Sequence, residues 1–433
     1  MPVDSALTSP TMQGSARQRS LQLLGILCGF TAGAWLGAAE APTKLVNLGI
    51  SPIVISLIMV VGVFLARWSL PALVLGTSSV RADVARAPHL ILWALLAGCL
   101  WAVANTLTIF AIRDVGLSIA FPLWNSNSLL GIFWGFLFFN ELRQAGWRRW
   151  AGVLGGAAVM CVGATILAIA SSSQSSSAHS LNGAWAALGA GVLWGTMYIP
   201  YRKAYLTGMN PLSFVTFFTF GELGMMGALA IGYDGLAPLW HELVAARAVM
   251  FWLMLGGFIW VIGDLFQQYA AKYVGIGRGI PIANTNQLWG LLWGIFVFGE
   301  LQGKSHATYL QIVGGSLLMM LGVAAIALSS ATSAEQKHWK EAAKRESERY
   351  SVSAEYVAAR FDGRRAASEA LPRRTAVDWL VVAAATAVLA GFATVARVPQ
   401  ISIRWAPVLF LTTALVLLLL ICGMKLWRTT RFH

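Results

Sequence analysis

Residues 93–142 read WALLAGCLWAVANTLTIFAIRDVGLSIAFPLWNSNSLLGIFWGFLFFNEL, and residues 252–301 read WLMLGGFIWVIGDLFQQYAAKYVGIGRGIPIANTNQLWGLLWGIFVFGEL. The offset is 159, no gap is needed, and seventeen of the fifty positions are identical. The identities include Trp101/Trp260, Gly116/Gly275, Pro122/Pro281, Asn125/Asn284, Asn127/Asn286, Trp134/Trp293 and Glu141/Glu300. The same offset pairs Trp35 with Trp194, Lys44 with Lys203, Pro52 with Pro211, and Gly155-Gly156 with Gly314-Gly315. Shared hydrophobicity cannot hold Trp, Asn, Pro and Glu in one register, so the sequence is a tandem repeat of one structural unit.

The unit is a set of membrane spans. Hydrophobic residues make up 57% of the chain and charged residues 11%, against about 25% charged in a soluble domain; mean hydropathy is +0.67. Roughly 20 apolar residues cross a bilayer, and twelve stretches qualify: 21–38, 53–75, 90–112, 117–139, 150–170, 182–201, 211–232, 249–271, 279–299, 308–330, 377–396 and 405–426. Five spans fall in each repeat. Because five is odd, the second copy enters the membrane from the opposite side. The expected fold is an all-α integral membrane protein, an inverted repeat of two five-helix halves plus two extra C-terminal spans. Its parts are a cytoplasmic N-terminus (1–20), a first repeat (21–170), a polar linker (171–181) and a second repeat (182–330). A charged cytoplasmic linker (331–376), the added spans (377–426) and a tail (427–433) complete the chain.

The formal charge of +13 does not mark a nucleic-acid binder. Ten basic residues lie in 331–376, and most others sit in short loops between apolar runs, where they orient spans. Over the first ten spans the basic side carries Arg17, Arg19, Arg81, Arg86, Arg143, Arg148, Arg149, Arg202, Lys203, Lys272 and Arg278; the other receives Lys44, Arg113, Arg247 and Lys304. Both termini are therefore expected in the cytoplasm of a bacterial cell, with the chain multi-pass in its inner (plasma) membrane. Arg17 and Arg19 precede an apolar run without a convincing cleavage site, so that run reads as the first span. Cys28, Cys99, Cys161 and Cys422 all lie in apolar runs without metal-like spacing and read as small hydrophobes.

These residues resemble the drug/metabolite transporter superfamily, and within it the sugar porters of the glucose/ribose uptake type. Trp260, Gly263, Gln267, Gly275, Ile276, Pro281, Ile282, Gln287, Leu288, Gly290, Phe298, Gly299 and Glu300 carry the likeness, which extends over roughly 21–330. The resemblance implies ten spans in two inverted halves and a sugar as cargo. Two departures stand out: Asp264 replaces a neutral amide, and the first half lacks the Gln-Leu pair.

A carrier needs polar groups facing a cavity at mid-depth, since unpaired ones are expensive in hydrocarbon. Trp260, Asp264 and Gln268 recur at i, i+4, i+8 and share a helix face; Trp101, Asn105 and Thr108 form the matching set. Amides and carboxylates suit sugar hydroxyls, and an indole suits their C–H faces. These groups also serve as interhelical glue in many membrane proteins. Pro122 with Asn125 and Asn127, and Pro281 with Asn284 and Asn286, predict matched interruptions, a sequence pointer to a transporter site. Asn284 and Gln287 share a face, and helical spacing predicts at most one cavity-facing Asn per span, the other being structural. The expected substrate-binding set is Trp101, Asn105, Asn125, Trp260, Asp264, Gln268, Asn284 and Gln287. Asp264 and Glu222 lie near mid-span as candidates for proton coupling, Glu222 having Val63 as its repeat counterpart. Glu141, Glu300, Lys44 and Lys203 occupy interfacial ends as gating or anchoring groups. Gly131/Gly135 and Gly290/Gly294 read as packing steps.

The leading expectation is a secondary carrier that takes up a monosaccharide with a proton by alternating access, in symport. An exporter of drugs or metabolites with the same fold is the alternative, and a non-transporting sensor or scaffold a third reading. No Walker motif and no catalytic or metal-ligand cluster is present, so neither an enzyme nor a cofactor is expected. Expected partners are a small-molecule substrate (a sugar), a proton and the lipid bilayer, without nucleic acid; a homodimer is compatible with the fold.

Overall fold

The structure is a computed structural model, and it describes residues 10–39, 41, 49–115, 120, 123–143, 145–171, 180–299, 303, 305–329, 333–366, 373–398 and 403–432. Pro122, Lys44 and Glu300 lie outside the described residues. Those described are helical without strands. The helices are α1 (Pro10–Ala39), α2 (Pro52–Val74), α3 (Thr77–Arg86), α4 (Leu90–Val115), α5 (Asn127–Phe139), α6 (Trp147–Ser171), α7 (Ser180–Thr196), α8 (Tyr198–Leu206), α9 (Pro211–Asp234) and α10 (Leu236–Ala245). They continue as α11 (Met250–Val274), α12 (Ile276–Ala283), α13 (Asn286–Leu292), α14 (His306–Leu328), α15 (Ser333–Arg349), α16 (Ala354–Phe361), α17 (Ala376–Val395) and α18 (Trp405–Thr430).

Among the described residues, nine helices are long and apolar enough to cross a membrane. The expected fourth, sixth and ninth spans depart from continuous helix. The described part of the fourth is the short apolar helix Asn127–Phe139. The sixth breaks at Met197 into α7 and α8. The ninth is divided at Asn284–Thr285 and ends in a π-helical turn, Trp293–Val297. Pro281 removes a helical donor just before that division.

Glycines set the closest crossings. A Cβ at Gly62 of α2 would overlap the Met254 backbone of α11, and one at Gly221 of α9 would overlap Leu95 of α4. Gly257 meets Met59 in the first crossing as Gly98 meets Phe218 in the second. Subtracting or adding 159 converts each of these contacts into the other. In the α6–α14 pair, Gly156 meets Gly322 and Gly163 meets Gly315, and the offset again exchanges the two. Close backbone approach through small residues is how helices associate where lipid offers no hydrophobic drive.

Segment 333–366 folds over one end of the bundle. Trp339 of α15 is 2% exposed, under Arg202, whose guanidinium carbon is 4.4 Å from the ring centroid. Asp83 accepts hydrogen bonds from the Tyr356 hydroxyl (2.9 Å), Arg360 (3.4 Å) and the Ser213 hydroxyl (2.6 Å). Arg17 donates to the carbonyls of Asp362 and Gly363 at 3.0 and 3.2 Å, placing the start of α1 at this capped end. The added helices flank the bundle, α17 against α2 and α11, and α18 against α1. At the far end the chain joining them is tied by the Arg397 amide to the Ala248 carbonyl (2.9 Å) and the Arg404 amide to the Val297 carbonyl (3.1 Å).

Candidate functional site

A small cavity opens among α1, α2, α4, α5, α7, α8, α11 and the α12–α13 break. Its outer wall includes Ala39 and Ile112, both at the helix ends remote from the cap. Asn105, Asn125, Asn127, Gln267, Asn284 and Asn286 supply its amides, and Trp124, Trp194 and Trp260 its indoles.

All four asparagines of the paired interruptions reach this cavity, where helical spacing predicts at most one per span. The backbone gives the reason. Asn125 lies in the turn that precedes α5, and Asn284 ends α12 while Asn286 starts α13. With the helix broken between them, the rotation of 100° per residue no longer separates the side chains.

Of the expected substrate set, Asn105, Asn125, Trp260 and Asn284 line the cavity. Trp101 stands behind it, 1% exposed, with its ring centroid 4.9 Å from Trp260 and 5.6 Å from Trp194, both edge to face. Asn105 donates to the Ser56 hydroxyl at 2.6 Å, and the Trp194 indole donates to Thr108 at 3.3 Å. Asp264 and Gln268 face away from the lining, and Gln287 is buried beside it without contributing to the wall.

Asp264 instead meets a residue that sequence reasoning missed. Arg67 of α2 donates to Asp264 Oδ2 at 2.7 Å and lies 3.4 Å from Glu222 Oε2, with all three side chains fully buried. The other Asp264 oxygen accepts from Gln268 at 2.8 Å, and Gln268 in turn accepts from the Tyr205 hydroxyl. The guanidinium carbon sits 4.0 Å from the Phe218 ring centroid and 5.3 Å from that of Trp260. Trp260 is thus shared, one side toward Arg67 and another toward the cavity. The missed signal was available: a lone arginine inside an apolar span requires a buried acid.

Of the interfacial residues, the described Glu141 and Lys203 lie at the capped end. Glu141 accepts from the backbone amides of Ile276 (3.1 Å) and Gly277 (2.9 Å), at the start of α12, and pairs with Arg202 at 3.4 Å. Arg202 also donates to the carbonyls of Ala271 and Lys272 at 3.1 and 3.0 Å. A carboxylate on a helix N-terminus and a guanidinium on a helix C-terminus each complement the helix dipole. Lys203 reaches Glu346 of α15 at 3.7 Å. His89 stacks on Tyr350, with ring centroids 3.6 Å apart. Burial pushes its pKa below the usual imidazole value, with Glu346 opposing and Lys203 reinforcing the shift. Among the described residues, no group of three or more His, Cys, Asp or Glu could hold a metal ion.

A family described as "Sugar transport protein" matches residues 223–354, a stretch that contains Asp264, Asn284, Asn286 and α15. A protein of Lactiplantibacillus plantarum named "Putative sugar uptake protein" is 37% identical over 137 residues, 30% of this chain and 46% of its own length. A Streptococcus pyogenes serotype M1 protein with the same descriptor is 31% identical over 140 residues, 32% of this chain and 42% of its own. The matched stretch thus spans less than half the length of these curated relatives. One solved structure aligns over 69% of this chain and 96% of its own, with 17% identity and a TM-score of 0.42. Family and relatives carry the names of transporters, not enzymes, in agreement with the sugar-uptake resemblance of the second half. With nine such apolar helices among the described residues, the chain is a multi-pass membrane protein.

Proposed function

We propose that this protein is a secondary carrier that takes up a monosaccharide, or a polyol of similar size, together with a proton. The observation that carries the reading is the cavity itself: six amide side chains and three indoles around one space. Amides pair with vicinal hydroxyls, and indoles cover the C–H faces of a sugar ring. The names of the partial-length relatives point the same way.

Alternating access is the proposed mechanism, run by two inverted five-helix halves, 21–170 and 182–330, with the last two spans as an addition. The helix crossings that interchange under the 159-residue offset support it, since two halves of one build can exchange conformations around a central site. In this reading the capped end faces the cytoplasm of a bacterial cell and the cavity opens outward across the inner membrane.

The Arg67–Asp264–Glu222 cluster is the proposed coupling site. One guanidinium facing two ionised carboxylates leaves a net charge of −1 in the bundle interior, which is expensive; a single proton brings the cluster to neutrality. Glu222 is the member with room to bind it. Its contact with Arg67 is the longer one, and its Oε1 has no hydrogen-bond partner among the described residues. Trp260 lies between this cluster and the cavity and so relates proton binding to substrate binding.

Proteoliposomes test the reading. Labelled monosaccharide should enter faster when an inward proton gradient is imposed, and Glu222→Gln should transport at a rate indifferent to that gradient. No uptake of any member of a broad monosaccharide panel would remove the sugar, and gradient-independent uptake by the unmodified chain would remove the proton.

A further inference from the structure

The four asparagines at the cavity are related by the repeat, but only half of the relation is hydrogen-bonded. Asn284 donates to Asn127 Oδ1 at 2.8 Å and to the Ser128 hydroxyl at 2.7 Å. This cluster ties the end of α12 to the start of α5. Applying the offset turns Asn284 into Asn125, Asn127 into Asn286, and Ser128 into Gln287. The counterpart cluster would therefore join Asn125 to Asn286 and Gln287. Here those bonds are absent. Asn125 Oδ1, Asn286 Oδ1 and Gln287 Nε2 are buried atoms with no hydrogen-bond partner among the described residues. An unpaired buried amide is costly, and three lie where the repeat places a bonded cluster.

The two clusters differ in depth. α5 runs from Asn127 toward Glu141, and α12 starts against Glu141 and runs back. The bonded cluster is therefore nearer the capped end and the unbonded one nearer the mouth. We infer that Asn125, Asn286 and Gln287 form the outer gate of the carrier, and that it closes by copying the inner cluster. On closure Asn125 Nδ2 donates to Asn286 Oδ1 and Gln287 Nε2 donates to Asn125 Oδ1, so that all three unpaired atoms gain partners, while Asn284 releases Asn127 and Ser128. Two amide bonds are made for two broken, which keeps the end states close in energy, as a carrier that must return empty requires. In the open state the hydroxyls of a polyol supply the donors that the two asparagine oxygens lack. The inference rests on the alternating-access reading, but it does not depend on the cargo being a sugar.

Hydrogen exchange of the full chain in lipid nanodiscs, without substrate, tests it at the α12 amides 276–283. Opening of the inner cluster lets water reach them, so their exchange rate follows the population of the outer-closed state. Asn284→Ala should accelerate exchange roughly three- to tenfold, the worth of about one net hydrogen bond. Asn286→Ala should slow it by a similar factor, and the double variant should return to within about twofold of the unmodified chain. Ser128→Ala and Gln287→Ala repeat the two directions should either asparagine variant fail to give monodisperse protein. Simple loss of packing accelerates exchange in every variant, so acceleration by Asn286→Ala and Gln287→Ala, or no change in any variant, overturns the gate. Opposite shifts in a chain that carries no sugar would leave the gate standing and remove only the substrate.

Discussion

Removing Arg67 should be among the most damaging single changes in this protein, and neutralising its partners should largely repair the damage. Arg67, Asp264 and Glu222 are all 0% exposed, so solvent screening gives no relief. Arg67→Met deletes the 2.7 Å contact to Asp264 and the 3.4 Å contact to Glu222, leaving two acids facing each other without a cation. Breaking a buried pair by removing one partner costs about 3–5 kcal/mol. Asp264→Asn with Glu222→Gln strands the guanidinium instead, at a cost of the same order. The triple variant Arg67→Met/Asp264→Asn/Glu222→Gln buries no charge, and replacement of a whole buried cluster is often neutral. It should therefore recover most of the loss, with a coupling energy of at least ~2 kcal/mol across the cycle. Thermal unfolding of detergent-purified protein, followed by size-exclusion recovery, gives the ranking; transport should remain absent in all three variants. A triple variant no more stable than Arg67→Met would refute the charge argument, because the loss would then come from shape alone.

Three smaller tests address other parts of the structure. Gly275 and Gly235 adopt nearly the same backbone conformation (φ 86°, ψ 164° and φ 79°, ψ 162°), which costs an L-residue about 1–3 kcal/mol. A Cβ on Gly275 would also stand 2.7 Å from the Glu141 carboxylate, whereas one on Gly235 would meet only Pro238 at 3.9 Å. Gly275→Ala should therefore lose about 1–2 kcal/mol more than Gly235→Ala in the same thermal assay, and equal losses would separate Glu141 from the cap of α12. His89 holds fewer protons when stacked on Tyr350 than when free, since its folded pKa is lowered. Docking of α15 is thus fully supported above the free imidazole value of about 6.5 and weakens as pH falls through the lowered one. Hydrogen exchange over 333–349, corrected for intrinsic rates, should rise on acidification in the unmodified chain and lose that dependence in His89→Asn. Finally, Cys28 Sγ and Cys422 Sγ are 3.7 Å apart, so copper-phenanthroline should join α1 to α18. Intact mass after thiol labelling would show two fewer reactive cysteines, and an unchanged count would displace α18 from that face.

Much of the fold was legible because the repeat is written in residues that packing cannot interchange. Apolar length gave the helices, and the Pro-Asn runs marked where the ninth span divides. The break at Met197 carried a mark of its own in Pro200, whose missing N–H leaves the Thr196 carbonyl without its helical donor, but no paired Asn run drew it into the repeat pattern. The site was legible in part. Asn105, Asn125, Trp260 and Asn284 could be placed by spacing, whereas Asp264 and Gln268 share that spacing yet turn toward Arg67 and Tyr205, and no periodicity in one helix reports what an opposing helix presents. Arg67 escaped notice because a repeat directs the eye to what recurs, and Arg67 has Met226 as its counterpart.

That failure to recur has a physical meaning for the proposed mechanism. If two inverted halves exchange conformations, a residue and its identical counterpart exchange environments as well, and together they contribute equally to both states. Asn125 with Asn284 and Asn127 with Asn286 can therefore open and close a path, but cannot favour one direction over the other. Any bias must come from positions where the halves differ. Arg67 stands opposite Met226, Glu222 opposite Val63 and Asp264 opposite Asn105, so the full charge of the cluster belongs to one arrangement of the bundle and has no copy in the other. Moving a proton on or off it changes the energy of one state relative to its mirror, which is what coupling requires. The same reasoning places the cap α15–α16 among the biasing elements, since in sequence the first half is followed only by the short uncharged linker 171–181. A carrier built this way puts passage in its symmetric residues and direction in its asymmetric ones.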